Sequence, residues 1–256
     1  MNRFDGRRAL ITGAGSGIGQ ATVHRLLAEG ARVVAADIDA EGLRSTAGRA
    51  AEDGTAGRLE TRELDIADEA AVRSGVAAAV AGLGGLDVLV NAAGILRSAH
   101  THETGLDLFN KIISINLTGT FLVTREALPA LLEGSSPVVV NFSSTSAAFA
   151  HPYMAAYAAS KGGVQAMTHA IASEYSKQGL RAVCVAPGSI ASGMTHGRGP
   201  GLPEDADMSL FAKLTPALGE GFAGPETVAG VIVMLASQDG AFITGTEIRI
   251  DGGTHM

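Results

Sequence analysis

Tyr157 and Lys161 stand four residues apart in the Ala-rich stretch Tyr157-Ala158-Ala159-Ser160-Lys161. A helix brings residues at that spacing onto one face, so an ammonium lies beside a phenol. A nearby cation favours phenolate and draws the phenol, with its ordinary pKa of about 10, toward working pH, which makes Tyr157 a usable acid or base. Thirteen residues upstream, Ser144 closes the apolar run Val138-Val139-Val140-Asn141-Phe142-Ser143-Ser144. A hydroxyl there and the Tyr157 phenol are placed to reach one substrate oxygen. The chain has three tyrosines, so a chance pairing with lysine at this spacing is a poor explanation, although a stabilising surface contact is not excluded.

A second group of residues suits phosphate. Thr12-Gly13-Ala14-Gly15-Ser16-Gly17-Ile18-Gly19 follows the first apolar run and leads into a helical pattern through Glu29. A glycine turn at a helix N-terminus offers unpaired N–H groups and the positive dipole end to a pyrophosphate. The candidates are Gly13, Ser16, Gly17, Ile18 and Gly19. Their spacing, G-x-x-x-G-x-G, departs from the strict G-x-G-x-x-G fingerprint. Asp37, about 20 residues on, ends Val33-Val34-Ala35-Ala36-Asp37-Ile38. A carboxylate there accepts from the adenosine ribose hydroxyls and repels a 2′-phosphate. Ser16, Ala36 and Ile38 add no cation, so the reading is NAD rather than NADP. The plainer reading has Asp37 capping the next helix.

These residues need a scaffold that brings strand ends together. Runs rich in β-branched and apolar residues recur at 8–12, 32–37, 58–65, 86–91, 137–143, 180–186 and 244–250, all read as buried strands, with helix-length segments between them. Strand and helix in alternation predict a doubly wound parallel α/β sheet of the Rossmann type, about seven strands, with helices on both faces. A (β/α)8 barrel would need one strand more. Residues 1–256 are read as a single dinucleotide-binding and catalytic domain. The Gly-, Pro- and Ser-punctuated stretch at about 189–224 breaks the rhythm and is read as a substrate lid. Its Met194, Leu202, Met208, Leu210 and Phe211 suit an apolar or bulky substrate, and His196 and Arg198 leave room for polar contact.

Composition removes other classes. The formal net charge of −7 gives no broad footprint for nucleic acid or an anionic membrane surface. The longest apolar stretch falls short of a membrane span. The N-terminus does not read as a signal peptide, and a single cysteine, Cys184, allows no internal disulfide. A cytoplasmic location is expected, and Cys184 reads as a small buried hydrophobe. His100-Thr101-His102-Glu103 carries metal-ligand types without fixed geometry, so no metal site is expected. His151 and Tyr153, between Ser144 and Tyr157, read either as a plain surface turn at His151-Pro152 or as residues beside the substrate. The 34 glycines, nearly twice the usual share of ~7%, imply many tight turns or close backbone approaches. Gly13, Gly15, Gly17 and Gly19 are expected to clear space for a pyrophosphate, and Gly30 and Gly179 to end helices.

Taken together and in order, these motifs resemble the short-chain dehydrogenase/reductases over essentially the whole chain. Asn91-Ala92-Ala93-Gly94 looks like that family's cofactor-side motif, Leu64-Asp65-Ile66 like its adenine-side acidic pair, and Pro187-Gly188-Ser189-Ile190 like the turn beside the nicotinamide. Ser192 stands where many members carry Thr. The resemblance implies cofactor contacts from Asp65, Ile66, Asn91, Ala92, Gly94, Tyr157, Lys161, Pro187, Gly188, Ile190 and Ser192. It implies Asn116, Ser144, Tyr157 and Lys161 as the catalytic set, with Asn116 positioning a water next to Lys161. The implied activity is NAD-dependent hydride transfer between a secondary alcohol or ketone and nicotinamide. The alternatives are an NADPH-dependent 3-oxoacyl or carbonyl reductase and a non-catalytic dinucleotide-sensing protein. The resemblance also implies a homo-oligomer, a tetramer in the family.

Overall fold

The structure is a computed structural model that describes residues 2–192, 194, 201–219 and 221–255. Seven parallel strands, β1 (Arg8–Thr12), β2 (Arg32–Asp37), β3 (Leu59–Glu63), β4 (Val88–Asn91), β5 (Val138–Phe142), β6 (Arg181–Pro187) and β7 (Glu247–Ile250), form one open sheet in the order β3-β2-β1-β4-β5-β6-β7. Each parallel return needs a crossover. These are α1 (Gly17–Ala28), α2 (Ala40–Glu52), α3 (Glu69–Leu83), α4 (Leu106–Ile113), α5 (Thr120–Leu132), α6 (Ala155–Tyr175) and α7 (Pro225–Ala236). The doubly wound expectation holds, and the open edges at β3 and β7 exclude the barrel.

Local chemistry sets the helix ends. Asp39 and Asp68 accept from the first free N–H groups of α2 and α3, Pro225 starts α7, and Gly30 (φ +100°) and Gly179 (φ +83°) turn the chain where left-handed backbone is required. Two apolar layers sandwich the sheet. Val23, Leu26, Leu27, Val228 and Ile232 cover one face, and Val72, Val76, Val123, Leu131 and Ile171 the other. The central strands are buried on both sides, which explains their unbroken apolar runs. β3 and β7 differ from the buried reading, because each has one neighbour and alternates half-buried with exposed positions.

The sheet is bolted at the start of β1 and β4. Asp87, 1% exposed, accepts from Arg8 Nε (2.9 Å) and Nη2 (2.8 Å) and from the backbone N–H of Arg8 and Ser135. At the opposite end Thr12 pairs with Ala36 and Asn91, and Asn91 with Asn141, so these strands finish level. The order reverses on either side of β1, and a crevice opens where the crossovers leave for opposite faces.

Candidate active site

That crevice is a cleft of about 770 Å³. Its walls hold Gly13, Ser16, Gly17, Ile18, Gly19, Asp37, Asp65, Ile66, Ala92, Gly94, Ser144, Tyr157, Lys161, Pro187, Gly188, Ile190 and Ser192, so the fold brings nearly every expected residue to one space. Asn91 is one of two exceptions, with Asn116. The Asn91 side chain points beneath the wall, donating to Thr124 Oγ1 (2.9 Å) and Asn141 Oδ1 (2.8 Å), and Asn141 in turn donates to Thr168. It ties β4 to β5 below the cleft instead of lining it, because its register places it opposite another buried asparagine.

The glycine turn is built as much for its own packing as for a ligand. A Cβ on Gly13 would lie 2.5 Å from Ala93 N, and one on Gly19 would run into the Gly13 carbonyl. Gly13 lets the turn fold against the loop after β4, and Gly19 lets α1 begin close against the turn, a packing role beside the expected one of clearing space for a pyrophosphate. Gly17 (φ +52°) faces Ser192 Cβ at 3.3 Å. Ser16, at the N-cap of α1, makes no side-chain cap bond, and the first turn of α1 contains no acidic residue. The opening N–H groups of α1 have no intrahelical partners, so this end of the cleft fits a pyrophosphate. Asp37 closes the neighbouring corner, accepting from Gly15 N (2.8 Å) and Asp39 N (2.9 Å). Each carboxylate oxygen keeps acceptor capacity for ribose hydroxyls. The helix cap is Asp39, not Asp37. Among the described residues no lysine or arginine lines this corner.

At the other end, Ser144 leaves β5 and its Oγ accepts from Ser146 N at 3.2 Å. Tyr157 lies in the first turn of α6 and Lys161 one turn on, with Nζ 5.7 Å from the Tyr157 ring centroid. The Lys161 ammonium donates to the Phe142 carbonyl at 2.9 Å, and Ser143 Oγ donates to the Lys161 carbonyl at 3.4 Å. Lys161 is therefore locked to the end of β5. Burial pushes Tyr157 above the ordinary phenol value, with the Ser144 hydroxyl pulling the other way. Burial also lowers Lys161 to about 8. Burial thus outweighs the depression expected from Lys161, whose ammonium is held at the Phe142 carbonyl.

Asn116 lies in a π-helical turn, Ser114–Gly119, between α4 and α5. Its side chain grips the loop after β4, with Oδ1 accepting from Ile95 N (2.8 Å) and Nδ2 donating to Ile95 O (2.9 Å) and Ser160 Oγ (3.1 Å). It stands just behind the wall. A Cβ on Gly94 would fall 3.1 Å from Asn116 Oδ1 and 3.6 Å from Lys161 Nζ, so Asn116 and Lys161 meet at that glycine. A π-turn displaces one residue from regular helix spacing and is frequent at functional sites, which is how the fold brings Asn116 there. On the far wall, Gly188 lets β6 approach β7, since its Cβ would lie 2.7 Å from Asp251 Cβ.

The stretch expected to cover the substrate contributes Met194, Leu202, Met208, Phe211 and Leu214 to the cleft. Leu210 is exposed and off the wall, and His196 and Arg198 lie outside the described residues. His151 lines the cleft, its Nε2 3.2 Å from Thr145 Oγ1, and burial lowers its pKa. Tyr153 acts from outside the wall. Held at φ +64°, it accepts Asp207 N on its hydroxyl (2.8 Å) and stacks on Phe211. His100 is 2.9 Å from Asp205, whose carboxylate raises its pKa. Sequence reading missed this clasp, Arg97 and Thr254 on the wall, and the His255 ring stacked on Phe149. The one available signal was Arg97 in the loop that follows β4. Among the described residues no helix is long and apolar enough to cross a membrane.

Comparison with known proteins agrees with this geometry. The family model described as enoyl-(acyl carrier protein) reductase matches residues 13–255. A 3-oxoacyl-[acyl-carrier-protein] reductase of Thermotoga maritima is 38% identical over 251 residues, covering 98% of both chains. A short chain dehydrogenase from Mycobacterium paratuberculosis bound to NAD superposes with a TM-score of 0.92 at 29% identity, covering 98% of both chains. Another from Burkholderia cenocepacia in complex with NADP gives 0.87 at 29% identity, covering 100% of both. The coenzyme class shared by these neighbours is a nicotinamide dinucleotide, and the cleft, with a helix N-terminus at one end and a tyrosine, serine and lysine at the other, is built for one. The chain belongs to the short-chain dehydrogenase/reductase family of oxidoreductases.

Proposed function

We propose that the protein is an NAD-dependent oxidoreductase that interconverts a secondary alcohol and its ketone. The observation that carries the reading is the convergence of Ser144, Tyr157 and Lys161 on one end of the cleft, with Asp37 at the other. The turn from Gly13 to Gly19 holds the pyrophosphate, Asp37 the adenosine ribose, Asp65 and Ile66 the adenine, and Ala92, Gly94, Pro187, Gly188, Ile190 and Ser192 the nicotinamide half. When bound, the coenzyme supplies a hydride to the ketone or accepts one from the alcohol. Tyr157 gives its phenolic proton to the substrate oxygen in reduction and takes it back in oxidation. Ser144 donates to the same oxygen, where charge develops. Lys161 keeps a positive charge beside the tyrosine and the nicotinamide ribose. Asn116 is a positioning residue that fixes the loop after β4 against Lys161. Residues 189–224 are the substrate lid on a single domain.

A second reading, an NADPH-dependent 3-oxoacyl reductase, draws support from the Thermotoga relative. Asp37 opposes it, since a carboxylate with no cation beside it among the described residues repels a 2′-phosphate. A non-catalytic dinucleotide sensor has no use for the complete Ser144, Tyr157 and Lys161 set. Exposed Leu106, Phe109 and Phe121 on α4 and α5 suit a homo-oligomer, a tetramer by family membership. The buried free thiol of Cys184 suits the cytoplasm.

Coenzyme choice is tested by initial rates with NAD(H) and NADP(H) on a panel of alcohols and ketones. The expected preference for NAD(H) is at least about tenfold in kcat/KM, about 1.4 kcal/mol, and Asp37→Ala should erase most of it. A wild-type preference for NADP(H) overturns the assignment.

A further inference from the structure

The cleft has two electrostatic halves. The acidic residues on its wall, Asp37 and Asp65, both stand where β2 and β3 end. Beyond those two the described wall carries no carboxylate, and its basic groups are Lys161, His151 and Arg97. Lys161 is held by the Phe142 carbonyl, and His151 lies against Thr145 and the Phe149 carbonyl. Arg97 differs. Its guanidinium is exposed, has no acidic partner among the described residues, and makes a single hydrogen bond, from Nη1 to the carbonyl of its neighbour Leu96 (2.7 Å).

The backbone carrying Arg97 is fixed on both sides. Asn116 clamps the N–H and carbonyl of Ile95, and Ala99 N donates to the Tyr153 carbonyl at 2.9 Å. A guanidinium on a pinned loop presents a planar fork of donors that matches the paired oxygens of a carboxylate, sulfonate or phosphate. The same cleft is lined by the apolar Leu96, Met154, Leu202, Met208 and Phe211. A cation at one side of an apolar chamber selects for a ligand with the same division.

We propose that Arg97 is a specificity-determining residue that binds an oxyanionic group carried by the substrate, separated by an apolar linker from the alcohol or ketone that reacts at Tyr157. This rests on the oxidoreductase reading of the same cleft. It narrows the substrate class to alcohols or ketones bearing a carboxylate, sulfonate or phosphate.

The test compares an aliphatic keto acid with its methyl ester, together with the matched keto sulfonate and keto phosphate, in wild type, Arg97→Gln and Arg97→Lys, each with NADH. In wild type at least one anionic ketone should show a KM about tenfold or more below the ester, and the ranking of the three anions identifies the group. Arg97→Gln should raise the anion KM about tenfold, leave the ester KM unchanged and keep kcat within about twofold, and Arg97→Lys should restore part of the loss. Raised salt should weaken the anion's advantage. Equal KM for anions and ester in wild type, or an equal shift of both in Arg97→Gln, overturns the proposal while leaving the oxidoreductase reading intact. If none of these ketones is turned over, the reaction assignment fails for this class, and calorimetric titration of the same compounds into the NADH-loaded protein decides about Arg97. Anion-selective binding lost in Arg97→Gln supports it, whereas equal binding or no binding overturns it.

Discussion

At Tyr157 two effects oppose each other. Burial favours the neutral phenol, and the Ser144 hydroxyl favours the phenolate. In the proposed reaction, oxidising an alcohol needs Tyr157 ready to accept a proton, whereas reduction needs it protonated. With burial dominant, kcat/KM for alcohol oxidation should climb through the alkaline range, and the reductive direction should decline there. Lys161, lowered to about 8 by the same burial, begins to lose its charge within that range. Ser144→Ala removes the one bond that lowers Tyr157, so it should move the oxidative rise to higher pH as well as slow turnover. A pH profile of kcat/KM for both proteins reads this, and an unmoved or acid-shifted rise in the variant would count against the role given to Ser144.

The strands place these residues, and their anchorage is measurable. Asp87 is buried at the start of β4 and bound by Arg8 side-chain and backbone donors. Burial would raise its pKa, but the Arg8 side chain and the backbone N–H groups of Ser135 and Arg8 together hold it below the ordinary carboxylate value. Asp87→Asn removes the charge partner of Arg8 and should cost about 3 kcal/mol of stability at neutral pH. A carboxylate with a lowered folded pKa contributes stability above its unfolded pKa and loses it as pH falls through the folded one. Urea titrations should therefore show the gap between wild type and variant narrowing in the acid range, and a gap constant with pH would contradict the assignment. Elements of this kind were easy to foresee, because a strand buried on both faces writes a continuous apolar run and a glycine turn marks its end. Side-chain direction was not. Nothing local distinguishes an Asn91 that lines a cleft from one that faces Asn141, since register decides it. The half-exposed β3 looked buried because its edge position follows from strand order, which no single run encodes.

For the whole molecule, sequence order and spatial order diverge most where long-range contacts act. The Tyr153 clasp on Asp207 and Phe211, the His100–Asp205 pair and the return of His255 onto Phe149 join segments separated by about 50 to 105 residues, and none leaves a local signature. The Gly13 to Gly19 turn, Asp37, Ser144, Tyr157 and Lys161 were legible because each sits at a strand end or a helix start that periodicity marks. Asn116 was legible through family resemblance alone, its π-turn having no local pattern. The formal net charge of −7 also hid the cleft's division, acidic at Asp37 and Asp65 and basic at Lys161, His151 and Arg97. The central claim is that this cleft performs hydride transfer with Tyr157 as the proton donor and acceptor. The most direct measurement pairs steady-state turnover of Tyr157→Phe, on any alcohol or ketone the wild type accepts, with NADH binding to both proteins followed by fluorescence. Turnover should fall by roughly three orders of magnitude or more, the scale expected for loss of a general acid and its electrostatic support, with NADH affinity changed by no more than about threefold. Near-wild-type turnover in Tyr157→Phe would contradict the account.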